Sequence, residues 1–161
     1  MVSVGISTLI MGAIMYALFF SSRSFVAMGN YMDLNKASLI ALDKLTRDIR
    51  ETSSLQTFAT NQLVFLDSNS NQLTFTWNPT SRQLTRSSGG TTDILLSDCD
   101  YLSFDIFRRN PTTDGVMGFH SASNNAALCK LVNVGWRCSR TILGAKVNTE
   151  SVQTAKIVMR N

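Results

Sequence analysis

The sequence predicts an α+β fold in which one long N-terminal helix, apolar and then amphipathic, packs on a C-terminal antiparallel β-sheet. Three observations predict it. From Met1 to Phe20 there is no charged residue. From Leu34 to Ile49 the apolar positions recur at helical spacing. Beyond Thr52-Ser53-Ser54 the chain breaks into short runs that alternate apolar and hydroxyl residues, separated by Asn-, Pro- and Gly-containing turns.

The first half of the helix reads MVSVGISTLIMGAIMYALFF, and its few polar side chains are small hydroxyls that can bond back to their own helix. Twenty residues at about 1.5 Å each span about 30 Å, the thickness of a bilayer's hydrocarbon core. Gly5 and Gly12, seven apart, would let a neighbouring helix approach closely. Ser21 to Ser24 marks the exit to an interface, and Gly29-Asn30 predicts a bend or local melting, since glycine costs about 1 kcal/mol against alanine inside a helix. In the second half, Leu34, Ser38, Ala41, Leu45 and Ile49 form one stripe with Leu42 beside it, whereas most of the charged residues fall off it. The opposite-sign pairs Asp43/Arg47, Lys44/Asp48 and Arg47/Glu51 are four apart, the spacing that supports a helix. No proline occurs before Pro79. The chain therefore divides into residues 1–24, a membrane or assembly segment, residues 25–54, an amphipathic segment, and residues 55–161, a β head.

Within the head, residues 63–66 and 73–77 predict two strands joined by a turn at Asp67–Asn71, and residues 83–86 a third after Asn78-Pro79. Residues 94–96 and then Leu102, Phe104 and Ile106 predict one or two more. Residues 110–125, with Asp114, Gly115 and His120, read as a long irregular loop, the kind of segment where binding often resides. Residues 131–138 alternate as a long strand, Gly144 punctuates, and residues 152–160 close the sheet.

Charged residues make up 16% of the chain, low for a soluble domain and in keeping with an apolar span. The net charge of +4 comes with no lysine or arginine cluster, so no nucleic-acid surface is expected; Arg82, Arg86, Arg108 and Arg109 are the nearest approach to one. A cleaved secretory signal would need a basic start and a small-residue cleavage site, and Phe19-Phe20-Ser21-Ser22-Arg23 is a poor one, so an uncleaved anchor fits better. Cys99, Cys129 and Cys138 show no metal-ligand spacing. An extended strand would hold Cys129 and Cys138 about 30 Å apart, so a bridge of Cys99 with Cys129 or Cys138 is the more plausible pairing, beside the alternative of three buried thiols. No metal and no cofactor are expected.

These features resemble the type IV pilin-like family of pilins and type II secretion pseudopilins. Met1-Val2-Ser3-Val4-Gly5-Ile6 is similar to the stretch that follows the family's Phe-Thr-Leu-x-Glu-Leu opening. Leu42-Asp43-Lys44-Leu45-Thr46-Arg47-Asp48-Ile49-Arg50 looks like the helix end of minor subunits, the W-type minor pilins and J-type pseudopilins, and residues 154–161 resemble their closing strand. The basic leader, its glycine cleavage site and the following glutamate are absent from these 161 residues, and the resemblance implies a start upstream that carries them. It further implies a single-pass inner-membrane protein with its head outside the cytoplasm. Such a subunit would assemble into a pilus or pseudopilus with other subunits and an assembly platform.

The expected chemistry is assembly and not catalysis. The helix face Ile6, Leu9, Ala13, Tyr16 and Phe20 is expected to meet lipid or neighbouring helices, and Leu34, Ala41, Leu42, Leu45 and Ile49 to meet the head. A membrane-anchored extracytoplasmic binding module or enzyme is the alternative. It would need convergent polar groups, for which His120, Asp98, Asp100, Asp105 and Asp114 are available.

Overall fold

In the computed structural model the chain is described at residues 2–67, 69, 71–111, 117–122, 125–142 and 149–159. Helix α1 runs from Val2 to Glu51 and is followed, among the described residues, by nine strands and a short 3-10 turn. Ser7 Oγ donates to Ser3 O at 2.9 Å and Thr8 Oγ1 to Gly5 O at 2.9 Å, so these two hydroxyls of the apolar half are satisfied within the helix. Helical hydrogen bonding continues through Gly29 and Asn30, where the sequence predicts a bend or melting. No side chain crowds Gly29 there to force the chain aside. Thr52 Oγ1 closes the far end by donating to Ile49 O at 2.7 Å.

The head contains two sheets where the sequence predicts one. The first is the meander β1 (Thr52–Ala59), β2 (Gln62–Asp67), β3 (Gln72–Asn78), β4 (Gln83–Ser88) and β5 (Thr91–Leu96), each strand antiparallel to the next. The second has β6 (Cys99–Pro111), β7 (Met117–Ser121), β8 (Leu131–Ser139) and β9 (Glu150–Val158) in the order β7-β6-β8-β9. Strand β1 was not legible as a strand, because Thr52–Ala59 has no clean alternation and pairs with β2 through two register shifts.

Part of the segment read as an irregular loop is strand. β6 extends to Pro111 and β7 pairs back on it, Phe107 opposite Ser121 and Arg108 opposite His120. Backbone pairing makes this hairpin, and Arg108-Arg109-Asn110 carries no alternation that would announce it. A 3-10 turn follows at Ala126–Leu128, where the Asn125 side chain accepts from Ala127 N at 3.1 Å. Asp114, Gly115 and Gly144, marked in the sequence, lie outside the described residues, as do Met1, Ser68, Ser70, Arg160 and Asn161.

One core serves both sheets and the second half of α1. Phe65 meets Phe75 edge-on at 6.2 Å between ring centroids, and Phe104, Val132, Val134 and Trp136 are buried with them. Main-chain bonds cross from sheet to sheet, Cys99 N to Arg82 O at 2.9 Å and Phe104 N to Thr60 O at 3.2 Å. α1 packs against β9 of one sheet and β5 of the other.

Candidate functional site

The stripe that should meet the head does so. Leu34, Ala41, Leu45 and Ile49 are buried to 2% exposure or less, and Leu42 packs beside them half-buried. Ser38 on the same stripe is fully buried, and its Oγ accepts from Trp136 Nε1 at 3.3 Å. Ion pairs and a hydrogen bond flank this seam. Arg86 Nε reaches Asp48 Oδ2 at 2.5 Å, Lys44 Nζ reaches Asp93 Oδ2 at 3.1 Å, and Gln153 Nε2 donates to Asn35 Oδ1 at 3.2 Å. Of the intrahelical pairs read from the sequence, Asp43 and Arg47 pair at 2.7 Å. Lys44 and Asp48 instead turn to Asp93 and Arg86 on the sheet, whose strands offer partners the helical spacing could not reveal.

The described residues of the other half are almost wholly uncovered. From Ser3 to Met32 the helix is exposed apart from partial cover at Ala27 and Asn30, and Arg23 is its sole charged side chain. The expected face, Ile6, Leu9, Ala13, Tyr16 and Phe20, is exposed throughout, Leu9 and Tyr16 at 76% each. It is not a distinct face, however. Val4, Ile10, Met11, Ile14, Leu18 and Phe19 on the remaining sides are exposed as well, so the segment is apolar around its whole circumference. A helix of this kind is stable only where something other than water surrounds it. By length and composition this one suffices to cross a membrane, with mean hydropathy 1.9 over its most apolar window.

The apolar surface extends further than the charge-free run. Phe25, Val26, Met28, Tyr31 and Met32 continue it past Arg23, and Leu39 and Ile40 continue it on the outer side of the helix where the inner side already grips the head. Leu39 and Ile40 are the residues that sequence reasoning missed. Their signal was present as apolar residues off the buried stripe.

Among the described polar groups available for an enzyme, Asp98 and Asp100 share one arginine-bound cluster, and Asp105 and His120 lie farther along β6 and on β7. Asp98 is engaged by Arg140 at 2.8 Å and Asp100 by Arg82 at 2.6 Å, while Asp105 accepts from Asn133 Nδ2 at 3.3 Å. His120 pairs across from Arg108, eight positions along β6 from Asp100, about 26 Å of strand. Among the described residues no group of three His, Cys, Asp or Glu side chains could hold a metal ion. Arg82 and Arg86 are both tied into the head by carboxylates, whereas Arg108 and Arg109 are exposed. The outer face of the second sheet carries a shallow depression of about 580 Å³ beside Gly135, bordered by Tyr101, Ser103, Arg137 and Thr154.

The three cysteines are buried free thiols. Cys99 stands directly opposite Cys138 in the β6–β8 register. Cys129 lies beyond the far end of that ladder, and burial pushes its thiol up to about 11. Comparison with known proteins adds no assignment: no protein-family profile and no curated protein matches the chain.

Proposed function

We propose that this chain is a structural subunit of a filament, a minor pilin of a type IV pilus or a pseudopilin of a type II secretion pseudopilus. In this reading it is stored in the inner membrane as a single-pass protein with its head outside the cytoplasm. The apolar half of α1 is the part that assembles. Its partners are the membrane, the helices of other pilin or pseudopilin subunits, and the assembly platform that moves it from one to the other.

The observation that carries the reading is the division of labour along α1. Every described helix side chain buried in the head lies at Leu34 or beyond, while the thirty residues from Ser3 to Met32 are predominantly apolar, with Arg23 their one charged side chain, and are exposed apart from partial cover at Ala27 and Asn30. A helix needed only for anchoring has no use for apolar side chains beyond the bilayer. At about 1.5 Å per residue the exposed stretch is about 45 Å long, half as long again as the hydrocarbon core. Phe25 to Met32, Leu39 and Ile40 are then positions for neighbouring helices in the filament.

The test compares Ala13→Asp with His120→Ala in cells. The filament reading expects Ala13→Asp to abolish pilus or secretion function, because a charge is placed where only lipid or a neighbouring helix can meet it. His120→Ala should leave function intact. Loss of function in His120→Ala with normal protein level, and none in Ala13→Asp, would favour an anchored enzyme or binding module.

A further inference from the structure

We infer that Cys99 and Cys138 are a cross-link site, a pair of thiols that oxidation joins into one disulfide between the start of β6 and the end of β8, with Cys129 left as a free thiol. The two residues are register partners across an antiparallel ladder. Opposed residues in such a ladder have Cα atoms about 4.5–5.5 Å apart, within the range a disulfide spans. By parity Cys99 should point outward, opposite to Leu102, Phe104 and Ile106. The register shift between Cys99 and Tyr101 reverses it, because Asp100 is an extra residue with no partner on β8. Cys99 therefore turns inward onto the face that carries Trp136 and Cys138, and both thiols are buried to 1% exposure or less.

The surroundings hold this geometry without any covalent bond. Arg82 Nη2 donates to Asp98 O at 3.2 Å and to Ser139 O at 2.6 Å, and its guanidinium pairs with Asp100, so one side chain grips the residues on both sides of the thiols. Ser139 Oγ donates to Asp100, Arg140 pairs with Asp98, and Trp77 Nε1 donates to Cys99 O at 3.2 Å. The thiols touch. Cys99 is pushed well up, first by its hydrogen bond with Cys138 and then by burial, while Cys138 is lowered, chiefly by that same bond and with help from Ser38. Cys129 is excluded by distance. It precedes Leu131, which pairs with Phe107, seven positions and about 23 Å of strand from the Cys138 end.

With oxidised glutathione as the oxidant, the thiolate of one of the two cysteines attacks one glutathione sulfur and releases one glutathione thiolate. The other cysteine, once deprotonated, attacks the protein sulfur of the mixed disulfide and releases the second. Two electrons pass to glutathione and the two cysteine protons end on its thiols. Because both sulfurs are buried, the exchange belongs to the stage before the β6–β8 ladder closes.

The experiment refolds the full chain in detergent with a glutathione redox buffer or with dithiothreitol, then alkylates, digests and weighs the peptides. Before alkylation the expected product lacks two hydrogens relative to the reduced protein, and after it there is one linked pair of peptides, containing Cys99 and Cys138, with Cys129 alkylated. Its Tm should exceed that of the reduced protein by on the order of 10 °C. Cys129→Ser should give the same linked pair, and Cys138→Ser none. A linked peptide containing Cys129, a bond in Cys138→Ser, or full alkylation of all three cysteines after oxidative refolding would overturn the inference.

Discussion

Trp136 and Ser38 meet across the seam between sheet and helix, the indole Nε1 donating to the serine hydroxyl at 3.3 Å with both residues buried. A tryptophan can lie under a helix only where a small side chain makes room, and its N–H must find a partner once water is gone. Ser38 meets both needs on a stripe otherwise made of Leu, Ala and Ile. Ser38→Ala should leave the N–H without its partner and cost about 1–3 kcal/mol. Ser38→Leu should cost more by overpacking the seam. Urea denaturation of the two variants checks the order, and equal stability of wild type and Ser38→Leu would contradict it.

The helix stripe was legible because burial and period coincide there. Leu34, Ala41, Leu45 and Ile49 are apolar at helical spacing, and the charges between them are excluded from the core. The division into two sheets was not legible. It depends on main-chain bonds such as Cys99 N to Arg82 O, and on positive φ at Arg82 and Asp98, 54° and 58°, the first at a residue type that does not favour it. For the same reason the Cys99–Cys138 pairing stayed open in the sequence. Simple parity assumes a strand without a bulge, and β6 has one at Asp100.

Leu45 is fully buried between helix and sheet. Leu45→Ala should destabilise the head by about 2–5 kcal/mol, the usual cost of removing a buried leucine with incomplete collapse of the space. A loss under 1 kcal/mol in urea melts would mean that α1 is not integral to the head's core.

A chain that begins near Met28 should be soluble in plain buffer and fold with the same melting behaviour as the head of the whole protein. All the buried side chains it needs lie from Leu34 onward. The whole chain should instead require detergent, since its exposed apolar side chains contribute favourable insertion terms of about 0.3–0.6 kcal/mol each. A monodisperse full-length protein without detergent would refute the membrane reading.

The β2–β3 turn carries a pH dependence of predictable sign. Asp67 accepts from the Asn71 side chain at 3.0 Å and from Asn71 N and Asn69 N, and these bonds hold its carboxyl below the usual carboxylate value. A carboxyl lowered in the folded state adds stability above its unfolded pKa and loses it as pH falls through the folded one. Asp67→Ala should therefore lower the urea midpoint near neutrality, and the gap from wild type should narrow below the carboxylate range. A gap that widens on acidification would reverse the assignment.

The central claim is that the exposed half of α1 meets like helices in a filament, and the most direct measurement is photocross-linking from Tyr16, which is 76% exposed on that segment. With a benzophenone amino acid in place of Tyr16, filaments sheared from intact cells and illuminated should yield adducts between this chain and the N-terminal helices of other subunits. Unassembled protein in the inner membrane should yield mainly lipid adducts. Absence of the chain from the sheared filament fraction, or its presence there without any subunit-to-subunit adduct from Tyr16, would contradict assembly through this helix.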